Sequence, residues 1–162
     1  MDDFRIAIVT TMAQMNDALS VRRAVFIEEQ GVNEDEEIDD LDGDPESTAG
    51  IVHVVAYRRV LPVATGRLHT VEPTTQPAHI GRVAVVAKFR GIGLGNTVME
   101  ALHDEAQRRG YASIALAAQL QAIPFYERLG YVAGGDVYLD AGIEHRWMER
   151  RFGKPPPAGS SP

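Results

Sequence analysis

The chain has no cysteine in its 162 residues. That excludes disulfides, thiolate metal sites and a cysteine nucleophile. An acyl-transfer enzyme built on this sequence would have to work without a cysteinyl intermediate. No apolar run is long enough to span a bilayer, and the opening Met1-Asp2-Asp3-Phe4-Arg5 lacks the pattern of a signal peptide, so the cytoplasm is the expected compartment. Internal repeats are absent. The five histidines show no paired ligand spacing. Asp40-x-Asp42-Gly43 has the look of part of a calcium loop, but Ile38 stands at the first ligand position and Ala49 at the twelfth, so no metal is expected. One stretch lacks positive charge: residues 28–44 hold ten of the 23 acids and no lysine or arginine. The remainder carries 16 bases against 13 acids, so the net charge of −7 is a local property. This argues against a nucleic-acid surface. It leaves two readings of the segment open, attraction of a cationic substrate or a solvated loop kept for solubility.

What is present fits one domain over residues 1–152 with a single core, followed by a Pro/Gly/Ser-rich tail at 153–162 with the composition of a disordered segment. Phe4 to Val9 reads as a strand. Thr10 or Thr11 can cap a helix in which Met15, Ala18, Leu19, Arg22, Val25 and Phe26 recur at helical spacing as far as about Ile27. Gly31 ends it, and the acidic stretch to Pro45 reads as loop. Arg22 and Arg23 can order that loop by ion pairing, a contact worth little if exposed. Ile51–Tyr57 and Leu61–Val71 read as an antiparallel hairpin, and Ile80–Val86 as a further strand. A helix from Leu94 stops at Gly110. After it come a short strand over Ala112–Leu116, a short helix over Gln121–Leu129, and strands at Tyr131–Leu139 and Ile143–Arg151. The order βαβββαβαββ predicts a mixed α/β domain with a largely antiparallel N-terminal half.

The most informative segment runs from Val83-Ala84-Val85 through Arg90-Gly91-Ile92-Gly93-Leu94-Gly95-Asn96. A strand leads into a glycine turn, and a helix starts at once. Such a turn aims several unpaired N–H groups and the positive end of a helix dipole at one place, which suits a phosphorylated ligand. The glycine spacing does not match a dinucleotide fingerprint, in which the third glycine comes one residue later. A P-loop would need a lysine after Gly95.

Arg90-x-x-Gly93-x-Gly95 resembles instead the phosphate-binding signature of the GNAT N-acetyltransferase superfamily. Val83-Ala84-Val85 resembles that family's strand beside the pantetheine arm. Pro124-Phe125-Tyr126-Glu127-Arg128-Leu129-Gly130-Tyr131 resembles its second motif. Val21-Arg22-Arg23-Ala24-Val25-Phe26-Ile27-Glu28-Glu29-Gln30, together with Gln119-x-Gln121-Ala122-Ile123-Pro124-Phe125-Tyr126, looks like the ElaA-like branch. The resemblance covers about residues 4–151 and implies an α/β fold with a mixed, mostly antiparallel central sheet of about seven strands and flanking helices.

The resemblance implies acetyl-CoA (coenzyme A) as donor. It implies that the N–H groups of Gly91, Ile92, Gly93, Leu94, Gly95 and Asn96 cradle the pyrophosphate and that Arg90 adds a charge-assisted contact. Val83, Ala84 and Val85 would lend their backbone to the pantetheine, and an N–H near Val85 would polarise the thioester carbonyl. Gln119 would touch the pantetheine or hold the slot beside it; packing or solvent contact is the other reading. Tyr126 is the candidate general acid for the departing thiolate, since its ordinary pKa of about 10 lies near that of a thiol; packing the short helix onto the sheet is the plain alternative. The candidate bases are Glu28, Glu29, Glu72, His53, His69 and His145, with Glu29 and Glu72 preferred. The implied reaction is direct attack by a primary amine, on a small molecule, a peptide or a protein, in a ternary complex, and the acidic stretch leans the acceptor toward a cation. A non-catalytic acetyl-CoA sensor or scaffold is the other class of function. A homodimer is an assembly that the resemblance leaves open.

Overall fold

The computed structural model describes residues 3–153. The expected tail therefore lies outside the described residues beyond Gly153. Seven strands form one sheet: β1 (Phe4–Ile8), β2 (Ile51–Arg58), β3 (Leu61–His69), β4 (Ala78–Val85), β5 (Ser113–Gln119), β6 (Val132–Asp140) and β7 (Ile143–Arg151). Their spatial order is β1-β2-β3-β4-β5-β7-β6, and every neighbouring pair is antiparallel except β4 with β5. The mixed, mostly antiparallel sheet read from the sequence is the one observed.

β2 and β3 are buried along almost their whole length because helices cover both faces. On one face lies α3 (Leu94–Arg108), whose Val98, Leu102 and Ala106 recur every fourth residue and are fully buried. Gly66 on β3 lets this helix come close. A Cβ there would sit 2.7 Å from Val98 Cγ1 and 2.8 Å from Leu102 Cδ1. α4 (Ile123–Arg128) packs beside α3, with Pro124 in its first turn.

The opposite face is covered by α1 (Met12–Arg22), capped by Thr11, whose side chain accepts from the Gln14 N–H. The helix continues as a wider-wound turn over Arg23–Glu29. This rewinding keeps Val25 and Phe26 buried against Ala84 while carrying Glu29 to the rim.

The acidic stretch is not the plain loop expected from its sequence. It contains α2 (Glu34–Glu37) and a 3₁₀ turn at Asp40–Asp42. It closes on three arginines. Arg22 is 1 % exposed and reaches Glu37 at 2.9 Å and Asp42 at 2.7 Å. Arg67 meets Asp39 at 2.8 Å and Asp42 at 3.1 Å, and Arg82 meets Glu37 at 3.2 Å and Asp39 at 3.3 Å. The ion pairing expected of Arg22 is thus buried, whereas Arg23 has only an exposed contact to Glu34 at 3.6 Å.

Candidate active site

β4 changes character halfway along. Its first residues pair with β5 at Ala78↔Ile114, His79↔Ala115 and Ile80↔Leu116, and the pairing stops there. Against β3 the register slips between Thr65↔Ala84 and Arg67↔Gly81, so β4 carries one extra residue at Arg82–Val83. Arg82 takes a left-handed φ of 56°, uncommon for a residue with a side chain. Its ion pairs to Glu37 and Asp39 help to hold it there. The bulge shifts the alternation by one: Ile80 packs in the core beneath α3, and after the bulge Val83 and Val85 do so while Ala84 faces Val25 and Phe26. Past the bulge β4 and β5 diverge. Between them opens a cleft of about 1020 Å³, lined by residues of β4, β5, β7, the end of the first helix, the glycine turn and α4.

The glycine turn sits at one end of this cleft. Gly91 and Gly93 have φ of 84° and 92°, and a Cβ at either would meet no atom within 4 Å, so both face open space. Gly93 is the N-cap of α3 and supplies no capping side chain. The N-termini of α1 and α2, by contrast, are closed by Thr11 and Asn33. Helix geometry leaves the first N–H groups of α3 without carbonyl partners. These features fit a phosphorylated group: a cradle without side chains, unpaired donors and a dipole's positive end. The unpaired edge of β4 at Val83–Val85 fits an extended polar arm beside it. Gly95 lies against Phe125; a Cβ there would be 3.1 Å from the ring.

Arg90 also lies here, but its side chain is engaged. Its Nε donates to the Val85 carbonyl at 2.8 Å, and its two terminal nitrogens donate to Glu29 at 2.8 and 2.7 Å. The hydrogen bonds from Arg90 hold the Glu29 carboxyl below its ordinary range. A carboxylate so held is a poor proton acceptor.

Tyr126 lines the cleft from α4, nearly buried, with its ring edge-on to Phe125 and Tyr131. Burial pushes its phenol up to about 12, so it keeps its proton at neutral pH. Gln119, at the end of β5, is bound side chain to side chain with Gln30, donating at 2.9 Å, and also accepts from Gln121. This bridges β5 to the end of the first helix across the cleft.

The structure thus brings Glu29, Val83, Ala84, Val85, Arg90, Gly91, Gly93, Leu94, Gly95, Asn96, Gln119 and Tyr126 to one cleft; Ile92 lies within the same turn, 45 % exposed. Glu72 is not among the lining residues; it precedes a cis peptide bond to Pro73 in the loop between β3 and β4. His53 is buried away from the cleft, at 3.2 Å from the Leu41 carbonyl and 3.8 Å from Asp42. His69 and His145 do line it. Among the lining residues that the sequence reading did not single out are His79 and Trp147. The available signal was alternation: His79 and Gly81 fall on the face of β4 opposite the buried Ala78 and Ile80.

Comparison with known proteins agrees with this fold. The acetyltransferase (GNAT) domain model matches residues 48–152. The N-acetyltransferase YjcF of Bacillus subtilis is 38 % identical over 136 residues, covering 83 % of this chain and 91 % of that protein. An acyl-CoA N-acyltransferase of Pseudomonas aeruginosa superposes with a TM-score of 0.76 at 30 % identity, covering 91 % of this chain and 99 % of the other. Escherichia coli ElaA gives 0.77 at 25 % identity with the same coverage.

Proposed function

Because the chain belongs to the GNAT acetyltransferase family, and so is an N-acetyltransferase, we propose that it binds acetyl-CoA along the open edge of β4 and acetylates a primary amine by direct attack in a ternary complex. One observation carries this reading: an uncapped glycine turn and an unpaired strand edge share one cleft with a buried, protonated tyrosine. Acetyl-CoA supplies an activated acetyl thioester. The N–H groups of residues 91–96 hold its diphosphate, and the backbone of Val83, Ala84 and Val85 aligns its amide-bearing arm. The N–H near Val85 supports the thioester oxygen. The Gln30–Gln119 bridge fixes the width of the slot. Tyr126 holds a proton on its phenolic oxygen and delivers it to the departing sulfur. Arg90 stiffens the turn through Val85, with its charge matched by Glu29.

The acceptor is a primary amine on a small molecule or an exposed protein chain. The acidity of residues 28–44 says less about its charge than the sequence suggests, because Glu37, Asp39 and Asp42 are already matched by arginines. The test is free-thiol release from acetyl-CoA with a panel of polyamines, aminoglycosides, amino acids and lysine peptides. Amine-dependent release should fall about a hundredfold in Tyr126→Phe, with acetyl-CoA affinity little changed. Tight acetyl-CoA binding without release for any amine would sink this reading in favour of a sensor.

A further inference from the structure

The five histidines divide into two groups. His53, His103 and His145 each have a ring nitrogen engaged: His53 with the Leu41 carbonyl, His103 with Tyr131 and Arg150, His145 with the Ile143 carbonyl. Among the described residues, no hydrogen bond engages a ring nitrogen of His69 or His79. These two lie side by side on β3 and β4, paired in register with ring centroids 6.5 Å apart, and both line the cleft. A polar ring left without a partner where a reaction takes place is available to the reaction.

His79 is the better placed. It belongs to the last paired stretch of β4 and β5, one residue before the pairing ends at Ile80↔Leu116. It therefore stands just beyond the apex of the wedge whose open arms run on to Val85 and Gln119. Its neighbour across β5 is Ala115, and the next position along that face is Ala117; both are too small to screen it. Trp147, paired with Ala117, meets the His79 ring edge-to-face at 5.3 Å. The indole N–H of Trp147 donates to Glu149 at 3.1 Å, and Glu149 is paired with Ala115.

We propose that His79 takes the proton from the acceptor's ammonium group at the apex of the cleft, with Trp147 and Glu149 fixing the ring as positioning residues. This rests on the acetyl-CoA-to-amine reading. The attacking nitrogen gives up two protons. One passes from the ammonium to an imidazole nitrogen of His79 and then to solvent. The lone pair so exposed forms the C–N bond as the C–S bond breaks. The second proton leaves the nitrogen as the amide forms and returns through solvent to the Tyr126 phenolate, replacing the proton given to sulfur. The surroundings suit a neutral acceptor. Burial, and then His69 on β3, lower the pKa of His79, Glu149 on β7 opposes them, and the β5 positions beside it are the uncharged Ala115 and Ala117.

The test has two arms. Imidazole NMR titration of the full chain without acetyl-CoA should show His79 neutral at pH 7 and titrating below the ordinary value of 6.5, moving lower still in Glu149→Gln. A His79 that is protonated at pH 7, or that ignores Glu149→Gln, overturns the proposal. In the thiol-release assay, using the best amine of the panel, His79→Gln should lower turnover about a hundredfold and abolish the acidic limb of the pH profile. Acetyl-CoA affinity should hold, and His69→Gln should keep the limb. Unchanged turnover in His79→Gln overturns the role of His79 alone. Absence of amine-dependent release in the wild type sinks the amine reading, while the titration still decides whether His79 is a neutral base.

Discussion

Arg22 and Arg90 each grip a carboxylate with several nitrogens, at nearly the same distances, in surroundings that differ chiefly in their water. Arg22 is 1 % exposed, with Glu37 at 2.9 Å and Asp42 at 2.7 Å. Arg90 and Glu29 meet at 2.7 Å with side chains 43 % and 42 % exposed. In the buried cluster the low dielectric makes every partner indispensable, because a charge left alone there has lost its solvent. At the rim, water replaces a missing partner at little cost. The buried cluster therefore anchors the acidic segment and, through Arg82, the bulge that opens the cleft. The rim pair can exchange partners, which suits a group beside a ligand's entrance.

The sharpest way to break this contrast is Arg22→Met, which leaves Glu37 to Arg82 and Asp42 to Arg67 in a buried site. It should cost about 3–5 kcal/mol of stability, read as a fall in the urea midpoint. A loss below about 1 kcal/mol would mean that Arg67 and Arg82 carry the cluster without it.

Acid is the next lever. Burial pushes the Asp42 carboxyl up, but hydrogen bonding and attraction from Arg22, with help from Arg67, outweigh it and leave the group well below its ordinary 3.8. A depressed carboxylate contributes stability that is fully present above its unfolded value and is lost as pH falls toward its folded one. Unfolding free energy should therefore decline below about pH 4, by up to ~1.4 kcal/mol per pH unit for this one group. Asp42→Asn should flatten that slope in urea titrations at pH 2–4. An unchanged slope would place the acid sensitivity elsewhere.

How much of this was legible beforehand follows from what is local. The glycine turn, its flanking strand and the helix after it are contiguous, so their spacing alone predicted a strand, a glycine turn and an immediate helix. The helical spacing of Met15, Ala18, Leu19 and Arg22 likewise marked a buried face, and Arg22 is on it. That its guanidinium meets Asp42 depends on a fold-back across 20 residues, and Arg67 and Arg82 arrive from separate strands. Composition reported ten acids and could not say that Glu37, Asp39 and Asp42 are matched in a buried cluster and Glu29 at the rim. His79 escaped for a related reason. It stands out only once the splay, the alanines of β5 and Trp147 are placed together, and those come from three strands brought side by side by a parallel crossover.

The smallest expected effect belongs to the rim. Glu29→Gln removes a charge that water can already screen, so stability should change by less than about 0.5 kcal/mol. Its effect on binding should be larger than its effect on folding. Glu29 places negative charge beside the glycine turn and occupies both terminal nitrogens of Arg90. Without that carboxylate, Arg90 can turn its fork toward a phosphate, and repulsion of the anion falls. Acetyl-CoA affinity by calorimetry should then rise roughly threefold to tenfold at low salt, with the gain shrinking as salt screens it. A weaker affinity would reverse the assignment. Glu29 would then be the residue that holds Arg90 in its working position, and the rim pair would be as indispensable to the ligand as the buried cluster is to the fold.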